Sequence, residues 1–439
     1  MSARTRELFA LIPASLLVTA GFLAIFLSQE SLKGVGGQDD LRDVSLTYGA
    51  IFLGLCFAAH LVIRVRLKHA DPYLFPLVAV LACFGLVMIY RIDDDLARQQ
   101  AQWFVIGLGL FAATIIGLTD YRVLERYRYL IALGGIVLLV LPRAFPPTNG
   151  AYLSIRLGPL SVQPAEFAKI AIVIFLASYL RDTRQVLVLG ARRFLFVTLP
   201  PLKHFGPVLA IWGAAMALLF VIQDLGSSVM FYGGFLAILY VATSRLSFPV
   251  VGLGLFASGA YVLYQVRPTI ESRVAAWRDP FDPELFNPDR AGGSYQLAQS
   301  LFAQADGGVL GQGFGQSVLD LQGGGTLLPA PQTDFIYAVI VNELGLAGGA
   351  ALLLVYLLVV QRGFKVAMLA RDSFSKLLAA GLTSVFALQV FVIVGGVTKL
   401  IPLTGVTLPF VSYGGSSIMA NFILLALLLL VSDRARREA

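Results

Sequence analysis

Runs of about twenty mostly apolar residues recur along this 439-residue chain, each long enough to cross the roughly 30 Å hydrocarbon core of a bilayer. Twelve are expected, near 8–28, 46–65, 72–91, 102–119, 126–142, 164–180, 205–222, 225–243, 248–266, 334–360, 375–397 and 408–432. In lipid the backbone must satisfy its own hydrogen bonds, which leaves only helices and closed barrels, and uninterrupted runs of this length select helices. With 57% hydrophobic and 13% charged residues and a mean hydropathy of +0.79, an ordinary soluble domain is excluded. The expected fold class is an all-α polytopic membrane protein. No small-residue cleavage site follows the first run, which is read as a retained helix.

The formal charge of +7 is not gathered into a stripe that would suit nucleic acid. Lysines and arginines instead cluster between apolar runs, the pattern that orients membrane helices. In a twelve-span arrangement the clusters at Arg4 and Arg6, Arg64 to Lys68, Arg122 to Arg128, Arg181 to Lys203, Arg245, Arg362 to Arg371 and Arg434 to Arg437 share one side. Both termini are therefore expected to be cytoplasmic. The acidic segments and the one long connection, 267–333, fall on the opposite side; connections of that length are usually functional or disordered. Cys56 and Cys83 lie within apolar runs, and His60, His69 and His204 are scattered near run ends, where interfacial placement is expected. Neither a disulfide framework nor a thiolate or imidazole metal site follows from them.

Ionisable groups in or beside membrane spans are costly and mark function by default. Here they sit at the outer ends of the runs: Gln163, Glu166 and Lys169 in VQPAEFAK, Asp224 in QDLGSS, Asp334 in PQTDF, Glu343 in NELG, Lys399 in GVTKLIP, and SYGGSS from Ser412 to Ser417. Glu166 and Lys169, three apart on a helix starting near Pro164, share a face; they either pin the helix start as an ion pair or touch a substrate. Asp224 and Asp334 each precede a run, so each is either a helix cap or a substrate contact. The glycines of SYGGSS either allow close helix packing or expose backbone donors to a ligand. No GxxxxGK[ST] occurs, and GQGFGQ at 311–316 follows no strand, so nucleotide binding is not expected. A substrate handled on the outer face must bring its own activation, as an activated lipid does.

In chain order, NGAYLSIRLGPLSVQPAEFAK, QDLGSS, GSYQLAQSLFAQADGGVLGQGFG, PQTDFIYAVIVNELG and PLTGVTLPFVSYGGSSIMANF resemble the motifs of the SEDS (shape, elongation, division and sporulation) family of bacteria, over about residues 72–433. The resemblance implies a SEDS-type ten-helix core at 72–439 with a large structured extracytoplasmic loop at 267–333, preceded by two extra N-terminal transmembrane helices within 1–71. It implies a multi-pass protein of the bacterial cytoplasmic membrane that polymerises lipid II on the outer face and releases undecaprenyl pyrophosphate. The expected partner is a class B penicillin-binding protein, the transpeptidase that crosslinks the glycan; membrane lipids surround it and no nucleic acid is involved.

The family's catalytic aspartate lies six residues before a tyrosine in a pattern like DPxGxGYQ. Counting back from Tyr295 reaches Asp289 in PDRAGGSYQ, while Asp282 better matches the Asp-Pro dipeptide and Asp279 is a third choice. The substrate contacts implied are Arg156, Gln163, Glu166, Lys169, Asp224, Arg273, Tyr295, Gln296, Asp334, Lys399, Ser412, Tyr413 and Ser416. Three places depart from the family's pattern: Arg290 and the following GGS stand where the loop motif has proline and GxG, Ser154 stands where tryptophan is usual, and Lys399 where many members have glycine. The implied reaction is one inverting displacement, in which a carboxylate takes the proton of the acceptor 4-hydroxyl. The pyrophosphate leaving group calls for cations, here Arg156, Lys169, Arg273 and Lys399, or a divalent cation, Mg or Mn. Two rival readings are a lipid II flippase or other transporter, which suits many spans with buried charges, and a noncatalytic scaffold of the divisome or elongasome.

Overall fold

The computed structural model describes residues 3–17, 19–21, 38–146, 152–157, 160–189, 192–194, 197–199, 225–286, 294–317 and 328–438, with isolated positions between 206 and 217. Helices α1 (Ala3–Ala10) and α2 (Gln38–Arg66) precede α3 (Leu74–Ile92), α4 (Asp94–Gly117), the short α5 (Val123–Arg126) and α6 (Arg128–Val140). A hairpin of β1 (Ile155–Leu157) and β2 (Leu160–Val162) then leads into α7 (Pro164–Leu189), and a second hairpin pairs β3 (Arg192–Phe194) with β4 (Val197–Leu199). Next come α8 (Leu225–Thr243), α9 (Ser247–Val266), α10 (Pro268–Arg278), α11 (Ser294–Gly307), α12 (Ile336–Leu369), α13 (Ser373–Val397) and α14 (Gly415–Arg437).

Among the described residues, eight helices are long and apolar enough to cross a membrane: α2 from Gly49, α3, α4, α8 from Gly226, α9, α12, α13 and α14. The protein is an all-α polytopic membrane protein. The remaining expected runs differ for physical reasons. Run 126–142 is divided among α5, α6 and a 3-10 turn at Leu141–Ala144, leaving α6 only 13 residues. Run 164–180 becomes the 26-residue α7, whose apolar centre is flanked by Glu166 and Lys169 at one end and Arg181, Asp182 and Arg184 at the other. Runs 8–28 and 205–222 extend beyond the described residues. Run 334–360 is part of the longer α12, kinked at Gly345, and α14 starts at Gly415 instead of 408. Pro409 and the left-handed Phe410 (φ 64°) stop a helix from beginning earlier.

Burial separates the centre from the lipid-facing rim. In α14, 94% of the apolar window is buried, against 12% in α9. Helix α4 lies along α14, with Phe104 and Phe111 edge-on to Phe422 at centroid distances of 5.3 and 6.2 Å. The N-terminal α1 docks through charge as well as apolar contact. Buried Glu7 pairs with Arg4 and lies 2.9 Å from His60 Nδ1, so His60 is a core residue and not an interfacial one. Cys56 and Cys83 are buried free thiols.

At the end of the bundle opposite the β1–β2 hairpin, ionic contacts tie helix termini that are distant in sequence. Fully buried Asp71 pairs with Arg436 and lies 3.6 Å from Arg362. Its other carboxylate oxygen accepts from the Tyr73 amide (2.9 Å), and its own amide donates to Ser432 Oγ (2.9 Å). This one side chain joins the start of α3 to the ends of α12 and α14. Removing one member of a buried pair strands the others, so Asp71→Ala is expected to cost about 2–3 kcal/mol, read as a lowered unfolding midpoint in detergent.

Candidate functional site

The β1–β2 register places Arg156 opposite Ser161, so the two side chains share one face of the hairpin. The chain then turns at Gln163, whose amide donates to Ser416 Oγ (2.7 Å), and Pro164 opens α7. This bond fixes the start of α7 against the start of α14. One turn into α7, Lys169 Nζ donates to Glu166 Oε2 (2.5 Å) and to Gln389 Oε1 (2.7 Å) on α13. Gln389 Nε2 passes the connection on to the Thr407 carbonyl (3.0 Å) and Ser417 Oγ (3.5 Å). Glu166, Lys169 and Gln389 are all buried, and the pairing satisfies charges that a membrane interior would otherwise penalise.

Residues 401–414 are mostly non-helical, which is tolerated at membrane depth only where the backbone is enclosed by protein or lines a cavity. They are stitched on both sides. Ser412 Oγ donates to the Thr333 carbonyl (2.6 Å) and accepts from the Leu408 amide (2.9 Å). The Tyr413 amide donates to the Gln332 carbonyl (2.9 Å), and Tyr413 OH donates to Gln99 Oε1 (2.7 Å). Gln100 donates to the Ser412 carbonyl (3.1 Å) and accepts from the Gly414 amide (3.2 Å).

Between these segments lies a cavity of about 510 Å³. Its walls come from residues at or just before the starts of α7 (Gln163, Glu166), α8 (Ser227), α12 (Thr333, Asp334) and α14 (Gly414 to Ser417), with Trp103 of α4, Arg273 of α10 and Tyr413. Four helix starts thus face one space, and a helix N-terminus carries a partial positive charge. Asp334 does not cap α12, because the cap position is Phe335 and no side-chain capping bond forms. Its carboxylate instead faces the cavity without a hydrogen bond or ion pair among the described residues. Burial pushes its pKa up to about 6, against the lowering pull of the Arg273 guanidinium.

The cavity brings together Gln163, Glu166, Arg273, Asp334, Tyr413 and Ser416. Lys169 stands behind Glu166, and Arg156 is exposed on the hairpin face shared with the cavity-lining Ser161. Ser412 is occupied in holding the loop. Ser154, at the family's tryptophan position, is buried just before β1. Tyr295 is buried on α11, packed edge-on to Phe286 at 5.2 Å, and neither it nor Gln296 lines the cavity. Asp282 Oδ1 accepts from the Glu284 amide (3.0 Å), and Asp279 Oδ1 from the Phe281 amide (3.2 Å), so both organise local turns. Asp289 and Asp224 lie outside the described residues.

Lys399 receives a backbone explanation. The Leu400 amide bonds the Gly395 carbonyl (2.7 Å) and the Lys399 amide bonds the Gly396 carbonyl (3.3 Å), a Schellman closure of α13 that requires the left-handed conformation. Lys399 adopts it, at φ 61°, and its carbonyl accepts from Trp277 Nε1 (3.0 Å). Its side chain does not line the cavity. Sequence reasoning missed Gln389, Gln100 and Trp103; Gln389 carried a usable signal, as an amide in the apolar run FALQVF.

The sequence model of the FtsW/RodA/SpoVE family, described as cell cycle protein, matches residues 72–437. The peptidoglycan glycosyltransferase RodA of Mycobacterium tuberculosis is 42% identical over 99% of this chain and 91% of its own length. Among solved structures, the rod shape determining protein RodA of Thermus thermophilus superimposes with a TM-score of 0.59 at 26% identity, covering 84% of this chain and 97% of that one. A chain from work on structural coordination of polymerization and crosslinking by a peptidoglycan synthase complex gives a TM-score of 0.66 at 26% identity, over 84% of this chain and 99% of that one. The ordered motifs, the helical bundle and these matches agree, and the chain belongs to the FtsW/RodA/SpoVE family of cell cycle proteins.

Proposed function

We propose that this protein is a peptidoglycan glycosyltransferase that polymerises lipid II, with its cavity on the outer face of the bacterial cytoplasmic membrane and both termini in the cytoplasm. The observation that carries the reading is the convergence of four helix N-termini, with Arg273, on one polar cavity beside apolar helices. Such a space suits a pyrophosphate group whose lipid tail stays in the bilayer. The names of the relatives and the placement of basic clusters on the opposite side support it. A class B penicillin-binding protein is the proposed partner, and residues 1–71 are an addition to the core that begins at 72.

Asp289 is the proposed base. The turn-forming roles of Asp282 and Asp279 support this choice, because each of those carboxylates already accepts a backbone amide. The base takes the proton of the acceptor 4-hydroxyl as its oxygen attacks C1 of the growing glycan. The bond from C1 to the pyrophosphate oxygen breaks, and the configuration at C1 inverts. Arg273, Arg156 and the helix N-termini hold the departing charge. Glu166 and Lys169 neutralise each other and orient the wall of the sugar site together with Gln163, Tyr413 and Ser416. A magnesium or manganese ion fits this donor set, since such an ion needs one or two carboxylates besides the substrate's phosphates, and Asp334 supplies one. When bound it adds positive charge at the leaving oxygen.

The test is polymerisation of labelled lipid II by the purified protein with its partner, transpeptidation blocked, read as glycan ladders on a gel. Wild type is expected to give ladders; lipid II crossing vesicle walls without polymer would overturn the reading. Asp289→Ala and Asp289→Asn are expected to slow polymerisation by about 10²–10⁴-fold, with Asp282→Ala near wild type; loss in Asp282→Ala alone moves the base there. Burial pushes the Asp334 pKa up to about 6, so with no cation bound its carboxylate is protonated as the pH falls through that value. Activity is therefore expected to decline below about pH 6, and Asp334→Asn should flatten that limb at a lower plateau.

A further inference from the structure

Two polar motifs are not used by the cavity, GQGFGQS at 311–317 and NELG at 342–345, and in the structure they meet. The Gln312 amide donates to the Asn342 carbonyl (2.9 Å) and the Gly313 amide to the Glu343 carbonyl (3.1 Å). Gly311 and Gly345 both have positive φ, 86° and 71°. A side chain would not fit at either: a Cβ on Gly311 would lie 2.2 Å from the Glu343 carbonyl oxygen, and one on Gly345 would lie 2.2 Å from that of Val309. The outer loop is thus laid backbone to backbone on the kink of α12.

A charge pair is enclosed in this junction. Glu343 is fully buried; its Oε1 lies 3.0 Å from Arg91 at the end of α3 and accepts from Ser317 Oγ (2.6 Å), while Oε2 accepts from the Gly315 amide (3.0 Å). Arg91 in turn donates to the carbonyls of Gly315 (3.0 Å) and Ser317 (2.9 Å) and to Ser317 Oγ (3.2 Å). A buried ion pair is weak evidence for stability, since apolar packing serves as well or better. What this pair adds is directional: it grips one loop from two helices.

The gripped loop lies in the second half of the outer connection. Before it, α11 is anchored to α13, with Ser300 Oγ and Gln304 Nε2 both donating to the Val397 carbonyl at 3.1 and 3.0 Å. Residues 287–293, which include Asp289, lead directly into α11. After it, the chain reaches Asp334 at the cavity. We infer that Arg91, Glu343 and Ser317 form a clasp of positioning residues for glycosyl transfer, fixing the outer connection relative to the cavity so that the base meets the acceptor. The inference rests on the lipid II polymerase reading.

Ser317→Ala tests it with the least disturbance, because it removes the hydroxyl bonds and leaves the Arg91–Glu343 pair in place; Glu343→Gln removes the charge. Each is measured for ladder formation at varied lipid II concentration and for hydrogen exchange at 311–317. Glu343→Gln is expected to lower kcat by on the order of a hundredfold, as small misplacements of reacting groups do, and Ser317→Ala by less. The KM for lipid II should stay within threefold of wild type, with faster exchange confined to the outer connection. The clasp is refuted by kcat within twofold of wild type in both variants, by a change in KM alone, or by loss that only tracks a fallen folded fraction. If wild type itself makes no ladders, the polymerase reading fails first, and the two failures are told apart.

Discussion

A charged lysine inside a membrane bundle needs groups that neutralise it and accept its hydrogen bonds, and the partners of Lys169 bind the parts of the site to one another. Glu166 lies on the same helix, but Gln389 comes from α13 and extends the contact to the Thr407 carbonyl and Ser417. Through this chain of bonds α7, α13, the non-helical 401–414 segment and α14 hold fixed relative positions. The cost of leaving any member unsatisfied in a low-dielectric interior is what makes the arrangement specific. The cavity wall is therefore held by polar bonds that run between helices.

The two ends of the bundle use charge differently. At one end Asp71 and Asp372 pair with Arg436 and Arg122, joining helix termini that are distant in sequence. At the other, Glu166 and Glu343 are paired with Lys169 and Arg91, while Asp334 shares the cavity with Glu166 but has no ion-pair partner among the described residues. The four helix N-termini there give the cavity a positive bias that no list of side chains would reveal. Asp334 is the exception within that field, and a carboxylate left in a costly position is where a functional role is most economical as an explanation.

Some of the site was legible before any fold was known. Glu166 and Lys169 were paired by helical spacing alone, since residues three apart share a face, and the structure has them bonded. Asp334 was ambiguous, because an aspartate before an apolar run reads equally as a cap; only the position of Phe335 at the cap removes that option. Lys399 looked like a cation for a phosphate, but its residue type says nothing of backbone conformation, and its place as the left-handed residue closing α13 emerges only from the helix end. The Arg91–Glu343 clasp could not be found from local pattern, as its members belong to different spans and meet through a third segment.

The sequence by itself determined that this chain lives in a membrane as helices, because run length and the need to satisfy backbone groups in lipid admit no other result. Its ordered motifs determined the family. Tertiary structure decided which polar residues share a space, since period and spacing describe neighbours along one helix and not the approach of one helix to another. It also decided how many runs are continuous: α6 is cut short and α12 runs on through a kink at Gly345, although both sequences are predominantly apolar. The convergence of α7, α8, α12 and α14 on one cavity is the property that matters most for function, and it exists only once the helices are packed.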